Sequence, residues 1–431
     1  MRAGGKGLWM AVGFALLGAL WSSVVWAQEP IVLQWGVGQG GQFIELYQRV
    51  AEMFEERHPH VKIEIVQAGY DELREKVIVA HAAGDPIDVF EAHSAHLMEM
   101  VDRGIARDLG PFLEADPSVD LEGYIPVTIT GNQVRGRQVA LPVAAFVDVL
   151  YVNVEHFKTL GLPLPPQPHG CVPDSCPEEW TWQEFAETLQ RLTRDTDGDG
   201  VPDRFGLQLG DWWPRTTPFL FQAGAHFFDE SYTRAILDSE EAVDALSFLQ
   251  DLSLRGFLSG GGFSGGTAST YISGPWDLPG LDASGIDYDV VMLPRHRHHG
   301  TRASNLPIHM SAITPYPEIA WEFIKFVISP EVQSTLTESV EWVISSYIPA
   351  ALEYVRAPGG PAGKHVFFEQ MMADPGHRVI THPALSQMDP VVQRAWTSIW
   401  RGESAVRPAL EEATRQMNAI MAAYASSEGG E

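Results

Sequence analysis

Beyond residue 30 the apolar positions follow two alternating spacings. Ile31 to Trp35 (IVLQW) is a short, mostly apolar run and predicts a buried strand, with a Gly-rich turn from Gly36 to Gly41 after it. Phe43, Leu46, Tyr47, Val50 and Phe54 then recur at three- and four-residue steps, the period of a helix with one buried face. His58-Pro59-His60 stops it. Val61 to Val66 (VKIEIV) alternates as a strand does. Asp71 to Ala83 reads as a helix capped by Asp71 and ended by Gly84-Asp85-Pro86. Asp88-Val89-Phe90 predicts a third strand, and a helix follows near His96 to Arg103. This order predicts parallel βαβ units and a sheet covered on both faces. Ligands gather at the carboxyl ends of such strands, here the loops 36–42, 67–71 and 91–95.

A second α/β region starts after about Leu141. Val149 to Val152, Tyr271-Ile272, Val290 to Leu293 and Ala312-Ile313 predict short strands. Thr181 to Thr193 and Ala242 to Leu254 predict helices, the first with Phe185, Leu189 and Leu192 on one side, the second with Val243, Leu246, Leu249 and Leu252. The last third is helical, over Glu318 to Ile328, Val391 to Trp400 and Ala405 to Tyr424. There is no internal repeat and no low-complexity linker between the halves. Two lobes joined by several strands fit this better than two domains on one tether.

The start of the chain follows another logic. Arg2 and Lys6 precede an uncharged, mostly apolar run from Leu8 to Val25, and Val25-Trp26-Ala27 ends in a small residue before Gln28 and Glu29. That is the pattern of a secretory signal peptide cleaved after Ala27; an uncleaved anchor is the competing reading, since the run is long enough to span a bilayer. No Cys lies at the junction, so no lipid anchor is expected there, and the mature protein is expected in the periplasm or outside the cell. Cys171 and Cys176, the only two, are expected to form a disulfide in that oxidising compartment; a zinc site usually wants four ligands. Among the 431 residues 45% are apolar and 20% charged, which excludes a disordered chain and a polytopic membrane protein. Lys plus Arg number 29 against 56 Asp plus Glu, a formal charge of −27 that repels nucleic acid and anionic lipid over most of the surface.

Gly36-x-Gly38-x-x-Gly41 matches a dinucleotide fingerprint by spacing. The second strand, however, ends Val66-Gln67-Ala68-Gly69, with no acid to hold a ribose, so a glycine loop lining a ligand cleft is the better reading. Asp195, Asp197, Asp199, the Val201 carbonyl and Asp203 match the first part of a calcium loop, with Gly200 at the sharp turn. The twelfth position is Gly206, so the closing carboxylate is missing; the alternative is an Asp/Gly turn. A structural calcium is the one ion considered, and no cofactor is expected for function. His296-Arg297-His298-His299 reads as a solvated hairpin tip. There is no H-E-x-x-H and no P-loop. Trp212-Trp213, Trp276 in SGPWD and Tyr70 sit in loops, where flat rings beside polar groups suit the faces of sugars. Trp321, Trp396 and Trp400, on predicted helices, read as core.

Several segments in order resemble the extracellular solute-binding proteins (family 1) of ABC sugar importers, relatives of the maltose-binding protein. They include EERHPHVKIEIV, AAGDPIDVF (82–90), GRQVALPVAAFVDVLYVNVEHF (136–157), EEWTWQEFAETLQRLTRDTDGDGVPDRFGL (178–207), FQAGAHFFDE (221–230), YISGPWDL (271–278) and AWEFIKFVISPEVQ (320–333). The resemblance implies a type II periplasmic-binding-protein fold of the α/β class, each lobe a mostly parallel sheet flanked by helices. The lobes would be 28–141 with 310–345, and 146–306 with 349–431. The hinge would cross near 141–147, 304–310 and 343–349. It implies a ligand site on Gln39, Gln42, Tyr70, Glu91, His93, Ser94, Phe146 and Trp276, to which loop position adds Asp277, Trp212 and Trp213. The hinge position at Phe146 is often acidic in relatives. The implied function is capture of a sugar or oligosaccharide and delivery to a membrane permease, by a monomer and without catalysis. A glycerol phosphate-type ester, with Arg302 and the Gly36–Gly41 loop as its binders, is the alternative, and an exported nicotinamide oxidoreductase a weaker one.

Overall fold

The described residues form thirteen strands: β1 (Ile31–Val37), β2 (Val61–Gln67), β3 (Val89–Glu91), β4 (Gln133–Val134), β5 (Arg137–Gln138), β6 (Leu141–Val147), β7 (Val149–Asn153), β8 (Phe205–Gln208), β9 (Leu258–Ser259), β10 (Ala268–Ser273), β11 (Tyr288–Val291), β12 (Ala303–Met310) and β13 (Ile344–Ser345). The structure, a computed structural model, describes residues 30–165, 180–340, 342–373 and 380–428. The expected leader, its expected cleavage point after Ala27 and the expected Cys171–Cys176 disulfide lie outside the described residues.

β1 pairs in parallel with β2 and β3, as the βαβ pattern predicts. The helix between the first two, Gln42–Arg57, buries Phe43, Leu46, Tyr47, Val50, Ala51 and Phe54, the face read from the spacing. The next helix, Tyr70–Ala83, begins one residue before the expected start. Gly69 is its cap, and Asp71 lies in the first turn, where its charge favours the positive helix end. Gly84 ends it at φ 75°, a left-handed conformation that favours glycine. Thr181 caps the helix Trp182–Leu192 with a reciprocal bond to Glu184.

The first sheet has the order β13-β6-β12-β3-β1-β2, the second β11-β7-β10-β8-β9. Both carry a parallel part. The antiparallel strands β6, β12 and β13 in the first, and β7 and β11 in the second, lie where the chain passes between sheets. β6 and β7 are separated by one residue, Asp148, so one nearly continuous run serves both sheets. One core packs Trp35, Phe43, Phe54, Phe323 and Trp321 around the first sheet. Another packs Phe185, Leu189, Phe219, Leu249 and Trp396 against the second, with Trp400 at its margin. A third straddles the passage, with Ala145, Val147, Val149, Tyr151 and Ile344.

Two expectations change. Ala312-Ile313 is no strand: it lies in a turn beyond β12, and the Ala312 N–H bonds the Ile105 carbonyl at 2.7 Å instead of a ladder partner. His296 is not a solvated tip. Its ring stacks on Trp182 at 4.3 Å, and its Nε2 lies 2.8 Å from Asp244 Oδ2. Among the described residues no helix is long and apolar enough to cross a membrane.

Candidate ligand cleft

After Val37 the chain turns through Gly38 to Gly41. Glycine is needed at 38 because a Cβ there would lie 2.3 Å from the Tyr70 ring, which packs against the turn. The Gly38 N–H donates to Glu91 Oε2 at 2.9 Å. Glu91 is the last residue of β3 and is buried. The glycine motif thus carries one of the protein's own carboxylates where a dinucleotide site would offer N–H groups to a pyrophosphate, which removes the physical basis of the nicotinamide reading. Burial pushes the Glu91 carboxyl up to about 7, while the Tyr47 hydroxyl and the Gly38 N–H pull it back. Burial and the Glu91 charge hold the Tyr70 phenol above its usual range, against a smaller pull from Gln39 beside it. Gln39 is half-buried; Gln42, the first residue of its helix, is exposed.

The third loop presents His93 and Ser94. His93 Nδ1 accepts the Ala95 N–H at 3.2 Å, which leaves the ring proton of the neutral form on Nε2. His93 lies deep in the cleft yet open to its water. Its surroundings, with His96 and Arg302, hold it below the usual imidazole range, so the neutral form prevails at pH 7. The Tyr70 and His93 rings are 6.2 Å apart.

The second lobe supplies tryptophans. Gly274 follows β10, and a Cβ there would meet the Trp276 ring at 2.2 Å, so glycine again makes room for an aromatic ring. Trp276 is half-buried, 6.2 Å from Phe146 on β6. Phe146 continues to Trp342 at 6.1 Å, and Trp342 to Phe43 at 5.5 Å, a file of rings across the passage between lobes. Asp277 is half-buried beside Tyr271. Trp212 is 52% exposed. Trp213 is anchored in the core, 5.0 Å from Phe227, with its N–H donating to Asp389 at 2.8 Å.

A cavity of about 430 Å³ lies between the lobes. His93, Ser94 and His96 wall one side, Trp212, Trp213, Pro214 and Phe221 the other, and Arg302, Ala303 and Ser304 run between. Of the residues expected from sequence, His93, Ser94, Trp212 and Trp213 line this cavity; Tyr70 stands beside His93, and Phe146 with Trp276 at the passage, and neither these three nor Glu91 are part of its lining. Sequence reading missed Trp342 and Asp148. Asp148 holds Arg302 through a two-pronged pair, Nε to Oδ2 at 2.8 Å and Nη2 to Oδ1 at 2.9 Å. No spacing rule links positions 148 and 302; only the antiparallel pairing of β6 with β12 does.

The profile of the bacterial extracellular solute-binding proteins matches residues 40–334. The chain belongs to this family. A maltotriose-binding protein of Pyrococcus abyssi is 24% identical over 345 residues, covering 73% of this chain and 65% of that protein. The chain thus spans less than two thirds of that relative's length. An sn-glycerol-3-phosphate-binding periplasmic protein of Pectobacterium atrosepticum is 23% identical over 461 residues, covering 96% of each chain. Among solved structures, the sugar-binding protein MalE of Xanthomonas citri superposes with a TM-score of 0.77 at 16% identity, covering 93% of this chain and 100% of the other. At that identity the likeness shows the two-lobed fold.

In this solute-binding protein the acidic loop stands apart from the residues that wall the cavity. The carboxylates of Asp195, Asp197 and Asp199 lie within 4.8 Å of one another and are exposed. Asp195 accepts the N–H groups of Gly198 and Gly200 at 2.6 and 2.8 Å. Asp203 is turned to Thr196, whose N–H and hydroxyl it accepts at 3.0 and 2.6 Å. Three of the five expected ligands converge, and the Asp203 carboxylate is already engaged by Thr196.

Proposed function

We propose that this solute-binding protein captures a sugar or oligosaccharide between its lobes, closes on it by hinge rotation and delivers it to the membrane permease of an ABC importer. It performs no chemistry on the ligand. The observation that carries this reading is a cavity walled by both lobes and crossed by the strand that enters β12. Filling such a cavity favours whichever lobe angle makes the most contacts, so binding and closure are coupled. Rings held against glycines on both lobes (Tyr70 on Gly38, Trp276 on Gly274) suit the CH faces of a sugar, and Glu91, His93 and Ser94 offer groups for its hydroxyls. The ligand residues in this proposal are those expected from sequence: Gln39, Gln42, Tyr70, Glu91, His93, Ser94, Phe146, Trp212, Trp213, Trp276 and Asp277. The lobes are 28–141 with 310–345, and 146–306 with 349–431, with crossings near 141–147, 304–310 and 343–349. The protein acts as an exported monomer.

The glycerol phosphate reading draws support from the relative that spans 96% of the chain. Against it, Arg302 gives its two-pronged edge to Asp148 and not to the cleft. A thermal-shift series on the mature protein separates the readings, using mono-, di- and oligosaccharides, polyols and glycerol phosphates. A ligand at a hundred times its dissociation constant stabilises the folded state by about 2.7 kcal/mol. A saturable shift with one sugar class is expected. A shift with phosphate esters alone would replace the sugar, and no shift at all would remove the receptor reading. Calcium is not required in this scheme. Sugar affinity is therefore expected to be unchanged by a chelator such as EDTA, and a loss would tie the Asp195–Asp203 loop to the site.

A further inference from the structure

Two guanidinium groups approach the Trp276 ring, Arg302 at 5.6 Å and Arg215 at 5.9 Å. They are employed differently. Arg302 spends its Nε and Nη2 edge on the Asp148 carboxylate, in the fork geometry that suits a carboxylate. Arg215, on the helix Trp213–Ala223, uses only Nη1, which donates to the Ile272 carbonyl at 2.9 Å and the Ser273 hydroxyl at 2.5 Å. Among the described residues, no hydrogen bond engages its Nε or Nη2 and no carboxylate pairs with it. Trp212 and Tyr271 lie 6.0 and 5.9 Å from the same guanidinium. Arg215 is thus oriented by one nitrogen and ringed by three aromatics, in a chain of formal charge −27 that has carboxylates to spare. A neutral hydroxyl fills only one N–H of such an edge, whereas a carboxylate fills both. Such a cation instead complements an anion brought by the ligand, and the remaining edge is the one Arg302 gives to Asp148.

We propose that Arg215 receives the carboxylate of an acidic sugar, a uronic acid residue, through Nε and Nη2, while Trp276 carries the face of that residue's ring. This rests on the sugar-receptor reading above and narrows it to acidic saccharides. Calorimetric titration tests it with uronate-ended disaccharides and their neutral counterparts, identical but for CH₂OH in place of the carboxylate, beside glucose 6-phosphate. Wild type is expected to bind an acidic member at least about ten-fold more tightly than its neutral counterpart, the size of one charge-assisted fork. Arg215→Gln is expected to lose that preference, binding the acidic and neutral members about equally. Arg215→Lys, which keeps the charge without the fork, falls between. Unliganded melting temperatures near that of wild type establish that both variants fold. Equal or weaker binding of the acidic member, or a preference that survives in R215Q, would overturn the proposal. Preference for the phosphate ester, lost in R215Q, would overturn the carboxylate assignment. Failure of every sugar, acidic and neutral alike, would instead overturn the receptor reading on which the proposal rests.

Discussion

Gly38 shows how one missing side chain shapes a site. A methyl group at that position meets ring carbons of Tyr70 close to the stem of the side chain, so the whole ring must swing away. Gly38→Ala is expected to cost about 1–3 kcal/mol in stability, the usual range for overpacking. It is expected to weaken ligand binding at least about ten-fold, because the displaced ring leaves the cleft wall. Urea unfolding and calorimetry on the same variant check both figures; unchanged affinity would take Tyr70 out of the site. Glu91, bonded to the same glycine, gives a pH signature. Its carboxyl has a folded-state pKa of about 7 against an ordinary 4.5, because burial disfavours the charge. The folded state therefore holds the proton more tightly than the unfolded chain. The associated stability is fully present below 4.5 and is lost as pH rises through 7, a change on the order of 3 kcal/mol. Glu91→Gln is expected to remove that slope from a stability-versus-pH series, and a slope unchanged in the variant would locate the titration elsewhere.

At the scale of elements, the decisive feature is the passage from β6 through Asp148 to β7, beside the entry to β12. Asp148 is fully buried and forks Arg302, and its carbonyl accepts the Thr301 hydroxyl at 2.6 Å. Asp148→Asn leaves the Arg302 charge without its partner and is expected to destabilise the fold by about 3–5 kcal/mol in denaturant unfolding. A loss under 1 kcal/mol would mean that the cleft water compensates Arg302 already. Little of this was legible from the sequence. The βαβ unit at the start was, because its strands are short apolar runs and its helix from Gln42 repeats at three and four. β12 was not: ASNLPIHM carries Ser, Asn, Pro and His among its apolar residues, and its identity as a strand comes from partners far away in sequence. The helix Trp213–Ala223 was hidden by Pro218 in its interior, and Arg215 with it. The glycine-flanked aromatics announced themselves as loop tryptophans. The Trp212-Trp213 pair also showed the limit of that signal, since adjacent residues on a chain point in different directions, one into solvent and one into the core.

For the whole molecule the question is what closure would do to the open tryptophan of the cavity wall. Trp212 is 52% exposed, the only tryptophan among the exposed large apolar side chains of the described residues, and it walls the cavity opposite His93. Three neighbouring strands, β6, β12 and β13, lie side by side where the lobes meet, and the core behind them is shared by both sheets. In the proposed closure such a passage holds the lobes together while they rotate about the strand bundle. Rotation that narrows the cleft brings Trp212 toward the His93 loop and out of water. Saturating ligand is therefore expected to lower acrylamide quenching of the mature protein's tryptophan fluorescence. Trp212→Phe is expected to abolish that change, while small-angle scattering still registers compaction on binding. Compaction without a change in wild-type quenching would place Trp212 outside the closing rim. A change in quenching without compaction would mean that the ligand covers Trp212 while the lobes stay apart, and capture would then rest on direct contact with the exposed ring and not on hinge rotation.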